Sequence, residues 1–193
     1  MKLGSCLLGD DDNEKIFGTS WYDELFGSAG KDELYGFEGD DYIVGGDGQD
    51  RIFGAAGDDV IYTGYGMEEG FTGTETDGDG DFASGGSGND KIYGSNENQT
   101  LFGGAGHDYI NAYGGRDNID AGAGRDIVKG GGGRDTIDGG DGADQINAGG
   151  GTADVRGGAG DDGDVVSARA RGGGRWCRLT RGRASGGRLR VVQ

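Results

Sequence analysis

A nine-residue period constrains this chain more than any other feature it has. Residues Gly130 to Asn147 read GGGGRDTID and then GGDGADQIN, with glycine at the first, second and fourth places, aspartate at the sixth and an aliphatic residue at the eighth. Units keep one frame from Gly9 to Tyr62, opening at Gly9, Gly18, Gly27, Gly36, Gly45 and Gly54. A second frame opens at Gly85 and continues through Gly94, Gly103, Ala112, Ala121, Gly130 and Gly139 to Asn147. Glycines that tolerate positive φ let six residues turn tightly, and the three that follow form a short strand whose eighth-place side chain points away from its neighbours.

The eighth place is Ile16, Leu25, Leu34, Ile43, Ile52, Ile61, Ile92, Leu101, Ile110, Ile119, Val128, Ile137 and Ile146, without a polar exception. A flexible glycine linker would not hold an aliphatic residue so faithfully, so low complexity alone does not describe the chain. Strands of three residues cannot stand alone. Stability has to come from stacking many of them into two facing sheets, which predicts a solenoid.

The unit resembles the G-G-x-G-x-D-x-U-x calcium-binding nonapeptide of RTX (repeats-in-toxin, hemolysin-type) proteins, and the resemblance covers roughly residues 9–165. It implies an all-β fold, a parallel β-roll (β-solenoid) with two units per coil and Ca²⁺ held between turns stacked on the same edge. Turns two units apart then lie about 4.8 Å from each other, the spacing of neighbouring strands. Two bare carboxylates at that distance repel by about 1 kcal/mol in water and about 3 to 4 kcal/mol at an effective dielectric of 20. A cation between them removes the conflict. The repeated ligands are hard oxygens in a glycine-rich cage with no repeated His or Cys, which suits Ca²⁺ better than Zn²⁺, copper or Mg²⁺.

A spacing of eighteen names the expected same-edge pairs. They are Asp32 with Asp50, Asp23 with Asp41, Asp41 with Asp59, Asp90 with Asp108, Asp108 with Asp126, Asp126 with Asp144, and Asp117 with Asp135. One ion per pair gives about seven ions. Glu14 and Gln99 replace the aspartate in their units. The competing reading is that these aspartates only cap turns.

The organisation expected from composition has five parts: residues 1–8, a leader remnant; 9–62, a first block whose irregular start at Gly9 to Phe26 caps the roll; 63–84, an irregular insertion; 85–165, a second block, degenerate after 147; and 166–193, a basic tail without stable elements. Thr76 to Ser84 can be forced into frame with Asp81 at the sixth place. Asp77, Asp79 and Asp81 also begin like an EF-hand loop, but Phe82 and Gly88 stand where that loop needs glycine and glutamate.

The net charge is −17, with all 35 acidic residues before position 166 and eight arginines after it. Such a polyanion with 49 glycines and one aliphatic residue per unit should not fold without divalent metal. The arginine-glycine tail has the composition a shifted reading frame of a GC-rich repeat gene would give, and it does not resemble the C-terminal signal that RTX proteins present to a type I exporter. Phosphate binding by the tail is the competing functional reading. Cys6 and Cys177 lie at opposite ends and are not expected to pair.

Aromatic residues Phe17, Phe26, Tyr35, Phe53, Tyr62, Tyr93 and Phe102 take the ninth place and should face outward, either as ordinary strand aromatics or as a surface for a sugar or lipid. His107 fills a variable fifth place where other units hold Lys, Gln, Asn, Arg or Ala, and no catalytic partner is in view. The expectation is a calcium-binding structural or adhesive module, not an enzyme. By the resemblance it is secreted and extracellular, and its partners are calcium ions and a polysaccharide or cell surface. No nucleic acid partner, no membrane span and a monomeric state are expected. The alternative is the repeat module of a secreted RTX protease, lipase or alginate epimerase, or of a toxin, whose catalytic or pore-forming part lies elsewhere.

Overall fold

A computed structural model describes residues 4–64 and 80–160, together with the strand backbones Val165–Ala168, Cys177–Thr180 and Arg190–Val192. Every strand pairing is parallel, and the described residues contain no helix. Consecutive strands alternate between two sheets. Each pairs with the next strand but one, so Leu25 lies beside Ile43 and Leu34 beside Ile52, a register of one coil for every two units.

The first sheet contains Cys6–Leu8, Glu24–Ala29, Tyr42–Asp47, Val60–Tyr62, Lys91–Tyr93, Tyr109–Asn111 and Ile127–Lys129. The second contains Lys15–Phe17, Glu33–Glu38, Arg51–Ala56, Phe82–Ser87, Thr100–Gly106, Asn118–Gly124 and Gly132–Asp138. Gln145–Arg156 turns the corner, pairing first with Ile127–Lys129 and then with Gly132–Asp138.

All thirteen expected eighth-place residues are buried and form one core, joined by Ala83 and Val155. A buried aliphatic side chain of this size contributes about 1.5 to 3 kcal/mol. With one per strand, the roll has a thin core, and backbone hydrogen bonds between coils carry much of the organisation. At the turns, Gly104 and Gly106 have φ of 116° and 142°, which a β-carbon would disfavour. Ser28, Phe37, Ala55 and Tyr113 hold positive φ at second places without being glycine.

The two blocks are one continuous roll. Arg51–Ala56 pairs with Phe82–Ser87, and Val60–Tyr62 pairs with Lys91–Tyr93, so the stack passes across the insertion without a break. Residues 65–79 of the insertion, Asp77 and Asp79 among them, lie outside the described residues. At the ends, two segments expected to be outside the roll belong to it. Cys6–Leu8 pairs with Glu24–Phe26. The tail, expected to lack elements, contributes Val165–Ala168 beside Gln145–Gly149, Cys177–Thr180 beside Ala153–Arg156, and Arg190–Val192 beside Val165–Ser167. The last coil offers an open row of N–H and C=O groups, and short runs of β-formers dock on such an edge whatever their charge.

Ninth-place aromatics lie on the outer faces as alternation predicts, together with the seventh-place rings Tyr42, Phe82 and Tyr109. Phe17, Tyr35, Phe53, Phe82 and Phe102 make one ladder with successive centroids 5.0 to 5.5 Å apart. Phe26, Tyr42, Tyr62, Tyr93 and Tyr109 make another, at 4.8 to 6.0 Å. The rings stack on one another along the roll, which spends their faces on each other and favours the strand-packing reading.

Candidate metal centre

Most strands begin just after a sixth-place residue, so the turns bring those residues into two vertical rows, one above each sheet edge. The row beside the first sheet is Asp23, Asp41, Asp59, Asp90, Asp108, Asp126 and Asp144. Its members are linked in one sense: the backbone N–H of each donates to Oδ1 of the next, at 2.8 to 2.9 Å. Beside the second sheet, Glu14 donates to Asp32, Asp32 to Asp50, Asp50 to Asp81, Gln99 to Asp117 and Asp117 to Asp135, at 2.8 to 3.2 Å.

All seven pairs expected from the spacing of eighteen are present. Two more, Asp50 with Asp81 and Asp59 with Asp90, are separated by 31 residues and bridge the insertion. Asp81 is therefore a member of the row and is 2% exposed. The signal for it was the in-frame unit Thr76 to Ser84. The spacing rule missed both pairs because the insertion leaves the stack at one turn and re-enters it there.

The two oxygens of these carboxylates sit in different surroundings. Oδ1 caps a backbone N–H that the bend would leave without a partner, so the capping role weighed from sequence is real. Oδ2 points inward. In Asp32, Asp41, Asp59, Asp90, Asp108, Asp117 and Asp126 it is buried with no hydrogen-bond partner. It also explains the first-place glycine: a β-carbon on Gly27 would stand 2.5 Å from Asp32 Oδ2. Asp23 differs, since its carboxylate accepts N–H groups from Ser5 and Thr19 as well as the Thr19 hydroxyl.

Burial drives these acids up. Asp59 is raised to about 8, mainly by burial and further by the Asp90 and Asp41 carboxylates, against the lowering effect of the Asp41 N–H. Burial likewise raises Asp90 and Asp117 to about 7 and Asp41 and Asp108 to about 6. Asp32, Asp126 and Asp135 are raised for the same first reason.

Rows of buried, unsatisfied anionic oxygens are costly unless something positive accompanies them. The donors are all hard oxygens, which fits a divalent cation of the Ca²⁺ kind. Among the described residues, no three His, Cys, Asp or Glu side chains converge on one point, so the balance of an ion's ligands would have to be turn carbonyls. His107 is not part of such a site. Its Nδ1 accepts the Arg125 N–H at 2.9 Å, in an exposed fifth-place ladder where Asp40 accepts from Asp58, Asp58 from Asn89, and Asn89 from His107.

Compared with curated proteins, the chain matches none. A profile of the RTX calcium-binding nonapeptide repeat (4 copies) matches residues 8–36, 35–66, 75–98, 93–128, 121–155 and 129–163. With the parallel two-sheet roll and its aspartate rows already in place, that match covers well over half of the sequence, and the chain belongs to the RTX calcium-binding nonapeptide repeat family.

Proposed function

We propose that the protein is a calcium-folded structural module of the extracellular space, in which ions between stacked turns neutralise the aspartate rows and hold the coils together. The observation that carries this reading is the set of buried Oδ2 atoms without partners, repeated along both edges. The residues that would hold the ions are the bridged aspartates of the two rows, in six pairs on the first edge and three on the second. Bound Ca²⁺ supplies positive charge and a flexible oxygen coordination shell, and it supplies no redox or acid chemistry here. The protein's own groups do the rest: Oδ1 ties each turn to the one before it, and the eighth-place aliphatics exclude water between the sheets. Millimolar calcium outside cells is sufficient for modules of modest affinity, which accords with a secreted protein. The long roll serves as a spacer or adhesive surface and not as a catalyst.

Circular dichroism and calorimetry during calcium titration test this. The metal-free chain at neutral pH should be expanded, millimolar Ca²⁺ should convert it cooperatively to β structure, and Mg²⁺ should do so poorly. A full β spectrum without metal, unchanged on adding calcium, would refute it.

A further inference from the structure

The second edge contains one turn that does not fit the metal. At Gly94–Gln99 the sixth place is a glutamine, the second place is Ser95 and the fourth is Glu97. None of these six residues has positive φ, whereas the next turn on the first edge has it at Gly104 and Gly106. The backbone ladder still runs through: Thr100 N–H donates to Asp81 O, Asn118 N–H to Gln99 O, and Gln99 N–H to Asp117 Oδ1, at 2.8 to 3.0 Å. The turn conformation and the side chain are what differ.

Gln99 is 2% exposed, and its Nε2 donates to Ser95 Oγ at 2.5 Å and to Thr63 Oγ1 at 3.2 Å. Both hydroxyl residues are buried themselves, Thr63 at 0% and Ser95 at 8% exposure. Gln99 Oε1 packs against Gly94, the place that Oδ2 takes in the aspartate turns. The turn interior therefore holds a neutral amide oxygen, itself buried without a hydrogen-bond partner, where its counterparts hold an anionic one, and the amide hydrogens go to hydroxyls. That oxygen brings no charge to balance a cation, and with Ser95 and Glu97 at the second and fourth places the turn lacks the positive φ that the Asp50 turn has at Gly46 and Gly48 and the Asp135 turn at Gly131 and Gly133.

We infer that Gln99, Ser95 and Thr63 form a metal-free plug that divides the second edge into two separate ion runs, Asp32–Asp50–Asp81 and Asp117–Asp135, while the first edge stays continuous. This inference rests on the calcium reading above. The plug also has a place-specific task. Thr63 is the residue after the strand Val60–Tyr62, at the mouth of the insertion, and Gln99 reaches it across 36 residues of sequence. The coil that must readmit the chain after the insertion is thus closed by neutral hydrogen bonds and does not wait for an ion.

Ion counting on the full-length chain tests this, by calorimetry and by metal analysis after gel filtration in calcium. Gln99→Ala should bind the same number of ions as the wild type, because no ligand is lost. The triple variant Ser95→Gly, Glu97→Gly, Gln99→Asp restores the repeat and should bind about two more ions, one toward Asp81 and one toward Asp117. A roll-forming Gln99→Ala protein with fewer ions would show that Gln99 is a ligand and overturn the inference. So would a folded triple variant with an unchanged count. If the triple variant does not form a roll, the Gln99→Ala count decides alone. A wild type that binds no calcium at all would overturn the calcium reading itself, a result distinct from both.

Discussion

Asp126 is the position at which capping and metal binding can be separated by a single atom. It is fully buried, its Oδ1 accepts the Asp108 N–H at 2.8 Å, its own N–H donates to Asp144 Oδ1 at 2.9 Å, and its Oδ2 has no partner. Asp126→Asn keeps an oxygen for the Asp108 N–H and replaces the anionic oxygen by an amide. An ion site contributes about 2.7 kcal/mol when free calcium is a hundredfold above Kd, and Asp126 is shared by the pairs with Asp108 and Asp144. Loss of both sites should cost up to about 5 kcal/mol in calcium, and without metal the change should stay under about 1 kcal/mol. Asp126→Ala should add a penalty of about 1 to 3 kcal/mol under both conditions, because the Asp108 N–H loses its acceptor. Denaturant unfolding followed by circular dichroism, in calcium at neutral pH and in chelator at the acid pH that favours the metal-free roll, reads these four values, and exposed Asp11→Asn is the control. Equal destabilisation of the Asn variant in calcium and in chelator would mean that the carboxylate only caps, and the metal argument would fall.

Other consequences follow from the same geometry. Ile137→Asp places an unpaired charge at a fully buried site and should prevent the adjacent coils from forming, while exposed Thr136→Asp should cost less than about 1 kcal/mol in thermal unfolding. Equal damage from both would reverse the assignment of inner and outer faces. The metal-free roll should be favoured by acid. Raised folded-state pKa values give stability that is complete below the unfolded value of 3.8 and is lost as pH rises through about 6 for Asp41 and about 8 for Asp59. Circular dichroism in chelator across that window should show β structure fading upward; a gain of structure with pH would contradict it. Calcium binding near pH 7 should release protons from the raised acids, so calorimetric enthalpies should vary with the ionisation heat of the buffer, and buffer-independent values would count against it.

Most of the roll is legible in the sequence because period nine ties three demands to fixed places: a turn needing glycine, a carboxylate closing it and one inward aliphatic. The burial of Ile16 through Ile146 and the seven aspartate pairs follow from counting. What counting could not reach depends on which turns meet in space. Asp81 joins its row only once the insertion is known to return to the turn it left. The plug at Gln99 needs Thr63 beside Ser95, residues 32 apart in a region where the frame is broken. Strands in the tail were hidden because nothing in an arginine-rich sequence announces pairing with an open sheet edge; the edge, not the tail, supplies the reason.

The fifth and sixth places make the strongest case that the aspartate charge has a purpose beyond capping. Both places form ladders of backbone N–H groups donating to side chains one coil away. In the exposed fifth-place ladder Asp40, Asp58, Asn89 and His107 serve interchangeably, and on the other edge Asn13 and Asn98 accept from Lys31 and Arg116. One acceptor atom is all that the role requires, so charged and neutral groups both serve. In the buried sixth-place rows a neutral acceptor would serve as well for the N–H and would spare the desolvation of a carboxylate. Yet the first-edge row is aspartate at every step from Asp23 to Asp144, and on the second edge Gln99 is the neutral exception, with Thr63 and Ser95 built around it. Burying a charge at each step where an amide would cap is physically reasonable only if the second oxygen meets a cation.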